Sequence, residues 1–168
     1  GSFYQLIGDS GAVTLQNSSG TSYSDSSSSS WDIIAAKQTD SGFDVLLDGA
    51  LGKEGSNYIW STTSAGVING VSGWLTDAET AAAGYENTFI KDFNSDGLIS
   101  GGSFYQLMGD SGAVTLQNRS GTTYSDSSAG SWDVIAAKQT DSGFDVLLDG
   151  ALGKEGSNYI WSTTSAGV

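Results

Sequence analysis

Apolar and polar residues alternate along most of this chain, and this pattern is typical of strands with one buried face. The clearest alternating segments are 31–38 and 43–48, in which Val45 and Leu47 share one face. Between them, residues 39–42 are turn-forming residues that end in glycine. The two segments are therefore predicted to form a β-hairpin.

Shorter segments with the same alternation lie on either side of this hairpin. They are predicted as strands at 3–7, 12–17, 57–62 and 67–71. Turn signals recur about every 8 to 12 residues, as in sheet-rich domains. The predicted fold is therefore mainly β, an antiparallel meander with sandwich-like repeats.

One segment follows a helical pattern instead. Thr76 and Glu79 have the spacing of a capping box at a helix start. Apolar residues then recur at spacings of four, three and four, at Ala78, Ala82, Tyr85 and Phe89. These signals predict a single helix over about 77–90 that leads directly to Asp92.

The sequence also repeats itself. Residues 1–67 recur at 102–168 without a gap, and the copies differ at six of 67 positions. The differing pairs are Ile7/Met108, Ser18/Arg119, Ser22/Thr123, Ser28/Ala129, Ser29/Gly130 and Ile33/Val134. Residues 68–101 occur once. The predicted organisation is a complete repeat at 1–101, with a helix at 77–90 and a loop at 92–100, followed by a truncated repeat at 102–168. Periodicity alone leaves open a second choice, in which the complete unit is 68–168.

The loop after the predicted helix carries the pattern Asp-x-Asn-x-Asp-Gly-x-Ile. Asp92, Asn94 and Asp96 stand at positions 1, 3 and 5 of an EF-hand-type calcium loop, with Gly97 at the turn position. The backbone carbonyl of Leu98 is a fourth candidate ligand. Calcium prefers oxygen ligands, so the pattern predicts a Ca²⁺ site here.

This loop departs from the complete EF-hand pattern. Position 12, where a bidentate glutamate normally binds, is Ser103, and position 9 is Ser100. Ser100, Glu86 or water would have to complete the calcium ligands. A strand is predicted after Ile99, so the second helix of an EF-hand is missing. The alternative is an ordinary turn rich in Asp and Asn that binds no metal.

Composition then narrows the possible functions. The 168 residues include 19 acidic and 6 basic ones, a net charge of −13 that disfavours binding to nucleic acid and attracts cations. The sequence contains neither His nor Cys, so it lacks the commonest general base and all thiol chemistry. No apolar run is long enough to insert into a membrane. We therefore expect a protein that is not an enzyme.

The tryptophans suggest a second kind of binding, because indole faces stack on sugar rings. Trp31, Trp60, Trp132 and Trp161 lie in alternating strands, where packing in the core is the expected role. Trp74 precedes the predicted helix and is expected to pack near it.

Several segments occur in an order that resembles a known family. They are 31–38, then 42–46 with 58–60, and finally 74–99, which ends in the Asp-x-Asn-x-Asp-Gly-x-Ile pattern. This order is similar to the tryptophan-rich C-terminal domain of cyanobacterial and other bacterial secreted proteins. The chain departs from that family at 46–48, where members often have a Trp-Lys pair. The resemblance implies an exported, calcium-linked and non-catalytic module.

Two functions are consistent with these observations. The first is a calcium-stiffened structural or adhesive repeat of a secreted or cell-surface bacterial protein, which could self-associate through its incomplete second repeat. The alternative is a carbohydrate-binding module that contacts extracellular polysaccharide through aromatic residues or the calcium site. Near-identical tandem copies favour the first, because they add length at constant shape.

Overall fold

The computed structural model describes residues 2–125, 127–128 and 130–168. Position 129, one of the six that differ between the copies, lies outside the described residues, as does Gly1 at the start of the predicted first repeat. The fold is mainly β with antiparallel sheets, which confirms the predicted fold class at that level. Contacts divide the chain into two compact units, Gly1–Thr80 and Ala81–Val168.

The described residues of the first unit form six strands in two sheets. They are β1 (Gln5–Gly8), β2 (Gly11–Thr14), β3 (Trp31–Thr39), β4 (Gly42–Gly49), β5 (Ser56–Thr63) and β6 (Ile68–Thr76). β1 and β2 form a hairpin, while β3 to β6 form a four-stranded meander in sequence order. The predicted turn at 39–42 is confirmed, because Thr39 pairs with Gly42.

Alternation along β4 determines where the core of this unit lies. Phe43, Val45 and Leu47 point to the same side and pack with Leu6 and Leu15. Burial of these apolar side chains supplies most of the driving force that holds the hairpin against the meander. Trp31 and Trp60 pack against this cluster and stay partly exposed, so the expected role in the core holds for them only in part.

The second unit repeats part of this arrangement. β7 (Leu98–Ile99), β8 (Gln106–Gly109) and β9 (Gly112–Thr115) form one sheet, and β10 (Trp132–Thr140), β11 (Gly143–Gly150) and β12 (Asn158–Thr164) form another. The β10–β11 pairing has the same register as β3–β4, with a bulge at the equivalent position. Leu107, Leu116 and Val146 are among the fully buried residues of its core.

The single helix predicted over 77–90 is wrong, because the segment forms two short helices. These are α1 (Asp77–Ala82) and α2 (Tyr85–Phe89). Gly84 separates them in a left-handed conformation with φ of 82°, which glycine adopts without steric cost. Among the described residues, no helix is long and apolar enough to cross a membrane.

The predicted capping box at the start of α1 is confirmed. The Thr76 backbone N–H donates to Glu79 Oε2 at 2.9 Å, and the Glu79 N–H donates back to Thr76 Oγ1 at 3.2 Å. The hydrogen bonds that Glu79 Oε2 accepts from the Thr76 backbone N–H and hydroxyl lower the pKa of the exposed Glu79 carboxyl. The capping-box pattern therefore predicted the start of the helix correctly, whereas the spacing of apolar residues predicted a helix that is too long.

The boundary between the compact units differs from the boundary expected from the repeat. It falls after Thr80, and the loop at 92–100 lies in the second unit, where β7 pairs with β8. That residues 1–101 fold as one unit stays a prediction.

Candidate functional site

The candidate calcium loop begins where α2 ends. Ile90 closes the helix at a φ of 51°, and Gly97 turns the chain into β7 at a φ of 82°. A Cβ atom at Gly97 would also collide with the Ala137 carbonyl. The neighbouring Asp96 carbonyl accepts a hydrogen bond from the Ala137 N–H at 2.8 Å. Glycine is thus required here both by backbone conformation and by the close approach of β10.

The structure brings the three predicted side-chain ligands together on one short turn. Asp92 Oδ2 accepts from the Gly97 N–H at 2.9 Å, and Asp96 Oδ1 accepts from the Leu98 N–H at 2.8 Å. Asn94 forms two hydrogen bonds with Asp96. Its side-chain oxygen accepts from the Asp96 backbone N–H, and its side-chain amide donates to Asp96 Oδ2. These bonds hold the loop in a defined conformation and occupy one lone pair on each acceptor oxygen.

One carboxylate oxygen in the loop differs from the others in its hydrogen bonding. Asp92 Oδ1 is buried and has no hydrogen-bond partner among the described residues. A buried, unpaired acceptor costs about 1–3 kcal/mol, and more when it carries charge. The pKa of the nearby Asp96 carboxyl is raised, mainly because burial removes water, with smaller contributions from the charges of Asp92 and Glu86. The loop therefore places negative charge where water solvates it poorly.

The two further candidate ligands, Glu86 and Ser100, contact each other. Glu86 is fully buried at 0% exposure on α2. Its Oε1 accepts from the Phe93 N–H at 3.0 Å, and its Oε2 accepts from both the backbone N–H and the hydroxyl of Ser100, at 2.9 and 2.7 Å. Glu86 thus joins both ends of the loop to α2, a bracing role that the sequence did not suggest.

The acidic residues do not form a ready-made metal cluster. In the part of the chain that the structure describes, no group of three or more His, Cys, Asp or Glu residues is placed to hold a metal ion. A cation at this loop would have to use Asn94, the Leu98 carbonyl and water together with Asp92 and Asp96. Such a mixed set of oxygen ligands suits calcium rather than a transition metal.

A second candidate site is an aromatic groove in the first unit, which sequence reasoning missed. Trp31, Tyr58, Trp60 and Trp74 line a cavity of about 340 Å³ together with Lys53. Tyr58 and Trp74 meet edge to face at 5.1 Å between ring centres, as do Trp31 and Trp60 at 5.0 Å. Four aromatic residues from three strands converge only when the meander forms, so no local pattern could have indicated the groove.

Comparison with known proteins adds no relative: no family model, curated protein or solved structure matches this chain. The resemblance to tryptophan-rich domains of secreted proteins thus rests on the sequence segments alone.

Proposed function

We propose that this chain is a calcium-stiffened structural or adhesive repeat of an exported bacterial protein, located outside the cell or on its surface. The proposed ion is held by Asp92, Asn94, Asp96 and the Leu98 carbonyl. The observation that carries the proposal is the buried Asp92 Oδ1 without a hydrogen-bond partner among the described residues. A cation at this atom would offset the cost of burying it unpaired.

The charge of the loop and of the whole chain supports a cation as the missing partner. Burial raises the pKa of the Asp96 carboxyl, and the charge of Asp92 adds to this rise. The chain has a net charge of −13, which raises the local concentration of cations. The backbone N–H groups of Gly97 and Leu98 already fix the two carboxylates, so little ordering would remain to be done on binding.

The position of the loop indicates what calcium would do. The loop connects α2, which belongs to the segment that occurs once, with β7, which pairs with β8 of the second copy. An ion bound to three side chains of this connection would reduce its conformational freedom. The proposed role is therefore mechanical, and it includes no catalysis.

Calcium-dependent thermal unfolding tests the proposal. A ligand that binds only the native state raises the melting temperature, so millimolar calcium is expected to give a higher value than EDTA. Asp96→Ala removes a charged ligand and is expected to abolish the difference. The matched control is Asp40→Ala in the exposed turn between β3 and β4, which should leave it unchanged. Equal melting temperatures in calcium and EDTA would show that the loop is an ordinary turn.

The aromatic groove favours carbohydrate binding as a second candidate function. Its indole and phenol rings offer apolar faces for sugar rings, and the Lys53 ammonium lies 5.6 Å from the ring centre of Trp74. Extracellular polysaccharide is the proposed partner. A glycan array probed with the chain and with Trp74→Ala tests this function: binding by the first and not by the second is expected. Glycan binding that survives Trp74→Ala would rule the groove out.

A further inference from the structure

The charge at the aromatic groove is opposite to the charge of the chain as a whole. Besides the four aromatic residues, the described lining of the groove consists of Ser30, Leu47 and Lys53. The chain has 19 acidic and 6 basic residues, so a carboxylate would be the more expected charge at any groove on its surface. The described lining instead carries a lysine and no carboxylate.

The acidic residues next to the groove in sequence lie on the other face of the sheet. Asp32 follows Trp31 on β3, and Asp48 follows Leu47 on β4. Successive side chains of a strand point to opposite faces, so these two carboxylates point away from the groove. They are exposed, and they lie opposite each other in the β3–β4 pairing. Lys53 therefore supplies the charge that a ligand in the groove would meet.

The loop between β4 and β5, residues 50–55, fixes the backbone of this lysine. The Lys53 N–H donates to the Ala50 carbonyl at 3.2 Å, and the Lys53 carbonyl accepts from the Ser56 N–H at 3.1 Å. A Cβ atom at Gly49 would collide with the same carbonyl. The backbone of Lys53 is thus held on both sides, and only its side chain is free to adapt to a ligand.

Two further features hold this loop in an uncommon conformation. Leu51 has a φ of 41°, which is rare for a residue with a Cβ. The Glu54 carboxylate accepts from the Gly52 N–H at 2.9 Å, and this hydrogen bond lowers the pKa of the Glu54 carboxyl. The acidic neighbour of Lys53 is therefore directed to the backbone of the loop.

The second copy contains the same loop with the same strain. Leu152 has a φ of 45°, and the Lys154 ammonium lies 5.4 Å from the ring centre of Trp132. In the first unit, the corresponding distance from the Lys53 ammonium to the Trp74 ring centre is 5.6 Å. Strained backbone positions are found preferentially at functional sites, so the loop supports a binding role for its lysine.

We propose that the aromatic groove binds an acidic sugar, a uronate residue of an extracellular polysaccharide, with the sugar carboxylate at the Lys53 ammonium. The proposal rests on carbohydrate binding by the groove, the second candidate function, and it names the class of sugar. The apolar face of the sugar ring packs against the indole and phenol rings. The exposed contact between Lys53 and Trp74 is weak, and a charge-assisted hydrogen bond to the carboxylate replaces it.

The lysine also distinguishes this ligand from two others. Aromatic clusters bind quaternary ammonium groups, but the Lys53 charge would repel a cationic ligand. A neutral sugar would use the aromatic rings and leave the ammonium without a partner. An acidic sugar is the ligand that uses both the rings and the charge of the groove.

Calorimetric titration of the full chain with a panel of trisaccharides tests the proposal. The panel contains galacturonate, glucuronate and mannuronate trisaccharides, each with the neutral hexose trisaccharide of the same linkage. EDTA is present throughout, because calcium would bridge uronates to the acidic surface of the chain. At least one uronate is expected to bind about threefold to fivefold more tightly than its neutral counterpart, as for an exposed ion pair. Added salt should reduce this preference, because it screens the pair.

Variants of the chain place the binding in the groove. Lys53→Met keeps an unbranched side chain and removes the charge, so its affinity for the uronate should fall to that for the neutral sugar. Lys53→Arg should retain the preference. The matched control is Lys37→Met, which removes one charge from an exposed position near the other end of β3 and should change nothing. Trp74→Ala should abolish binding of both sugars, and circular dichroism verifies that each variant is folded.

Three results would overturn the proposal. Equal affinity for the acidic and neutral members would exclude a role for the charge and leave carbohydrate binding by the groove in place. Uronate binding that survives both Lys53→Met and Trp74→Ala would place the site elsewhere. Absence of binding by every member of the panel would also overturn it, and the glycan array would then decide separately whether the groove binds carbohydrate.

Discussion

At the scale of single residues, a few side chains stabilise the conformation of the candidate loop. Glu86 is buried and accepts three hydrogen bonds from Phe93 and Ser100. Hydrogen bonds to a charged acceptor are stronger than neutral ones, and a buried carboxylate is stable only when its oxygens are satisfied. The loop conformation therefore depends on a residue outside the calcium-loop pattern.

We predict that Glu86→Gln destabilises the protein by about 1–3 kcal/mol, because an amide NH₂ would replace an oxygen that accepts from N–H or O–H donors. Urea unfolding followed by circular dichroism measures the effect. Glu54→Gln is the control, since Glu54 is exposed and its carboxylate accepts from the backbone N–H of Gly52. Equal stability of Glu86→Gln and the parent chain would show that the hydrogen bonds of Glu86 contribute nothing to the free energy of unfolding.

A second prediction concerns Asp92, whose Oδ1 is buried without a partner among the described residues. Asp92→Asn keeps the acceptor for the Gly97 N–H and removes the charge. Without calcium, this change is expected to raise stability by about 1 kcal/mol, because a neutral group is less costly to bury than a charged one. With calcium, the same variant should lose the rise in melting temperature. A variant that is less stable than the parent chain in EDTA would argue against an unsatisfied charge in the loop.

At the scale of elements, the break between α1 and α2 is set by Gly84. Its φ of 82° is strained for any residue with a Cβ, although an added Cβ would meet only Gly101 Cα, at 4.0 Å. Gly84→Ala is expected to destabilise by about 1 kcal/mol or more. If the segment were one continuous helix, the same change would stabilise it. Thermal unfolding distinguishes the two, and Gly121→Ala, with a φ of 80° in an open turn, gives the cost of backbone strain alone.

The elements also show which features the sequence could predict. The hairpin of β3 and β4 has a strong local alternation and a turn signal, and its position is confirmed. The helix was predicted too long because Ala78, Ala82, Tyr85 and Phe89 keep a helical spacing, whereas the left-handed Gly84 interrupts the backbone between them. The spacing of the apolar residues does not indicate the backbone conformation of the glycine that lies among them.

The same distinction applies to the candidate site. Asp92, Asn94 and Asp96 lie within five residues, and a local motif was enough to group them. The brace from Glu86 to Phe93 and Ser100 depends on how α2 packs over the loop, and the aromatic groove depends on the order of strands in the meander. Long-range pairing therefore produced the features that the sequence did not predict.

At the scale of the whole molecule, the loop belongs to the same compact unit as the second copy, residues 102–168. β7 pairs with β8, and the Ala137 N–H of β10 donates to the Asp96 carbonyl, so two strands of residues 102–168 support the loop. A fragment of residues 1–101 lacks both supports. A fragment of residues 81–168 retains both, together with the Glu86 brace.

We therefore predict that the fragment 81–168 unfolds cooperatively and melts at a higher temperature in millimolar calcium than in EDTA. The fragment 1–101 contains every proposed ligand, yet it should show no calcium-dependent shift, because its loop cannot pair with β8 or β10. Calorimetry of both fragments, with the full chain as reference, measures the difference. If 1–101 shows the full calcium-dependent shift and 81–168 shows none, the boundary after residue 101 is correct and the loop belongs to the first repeat.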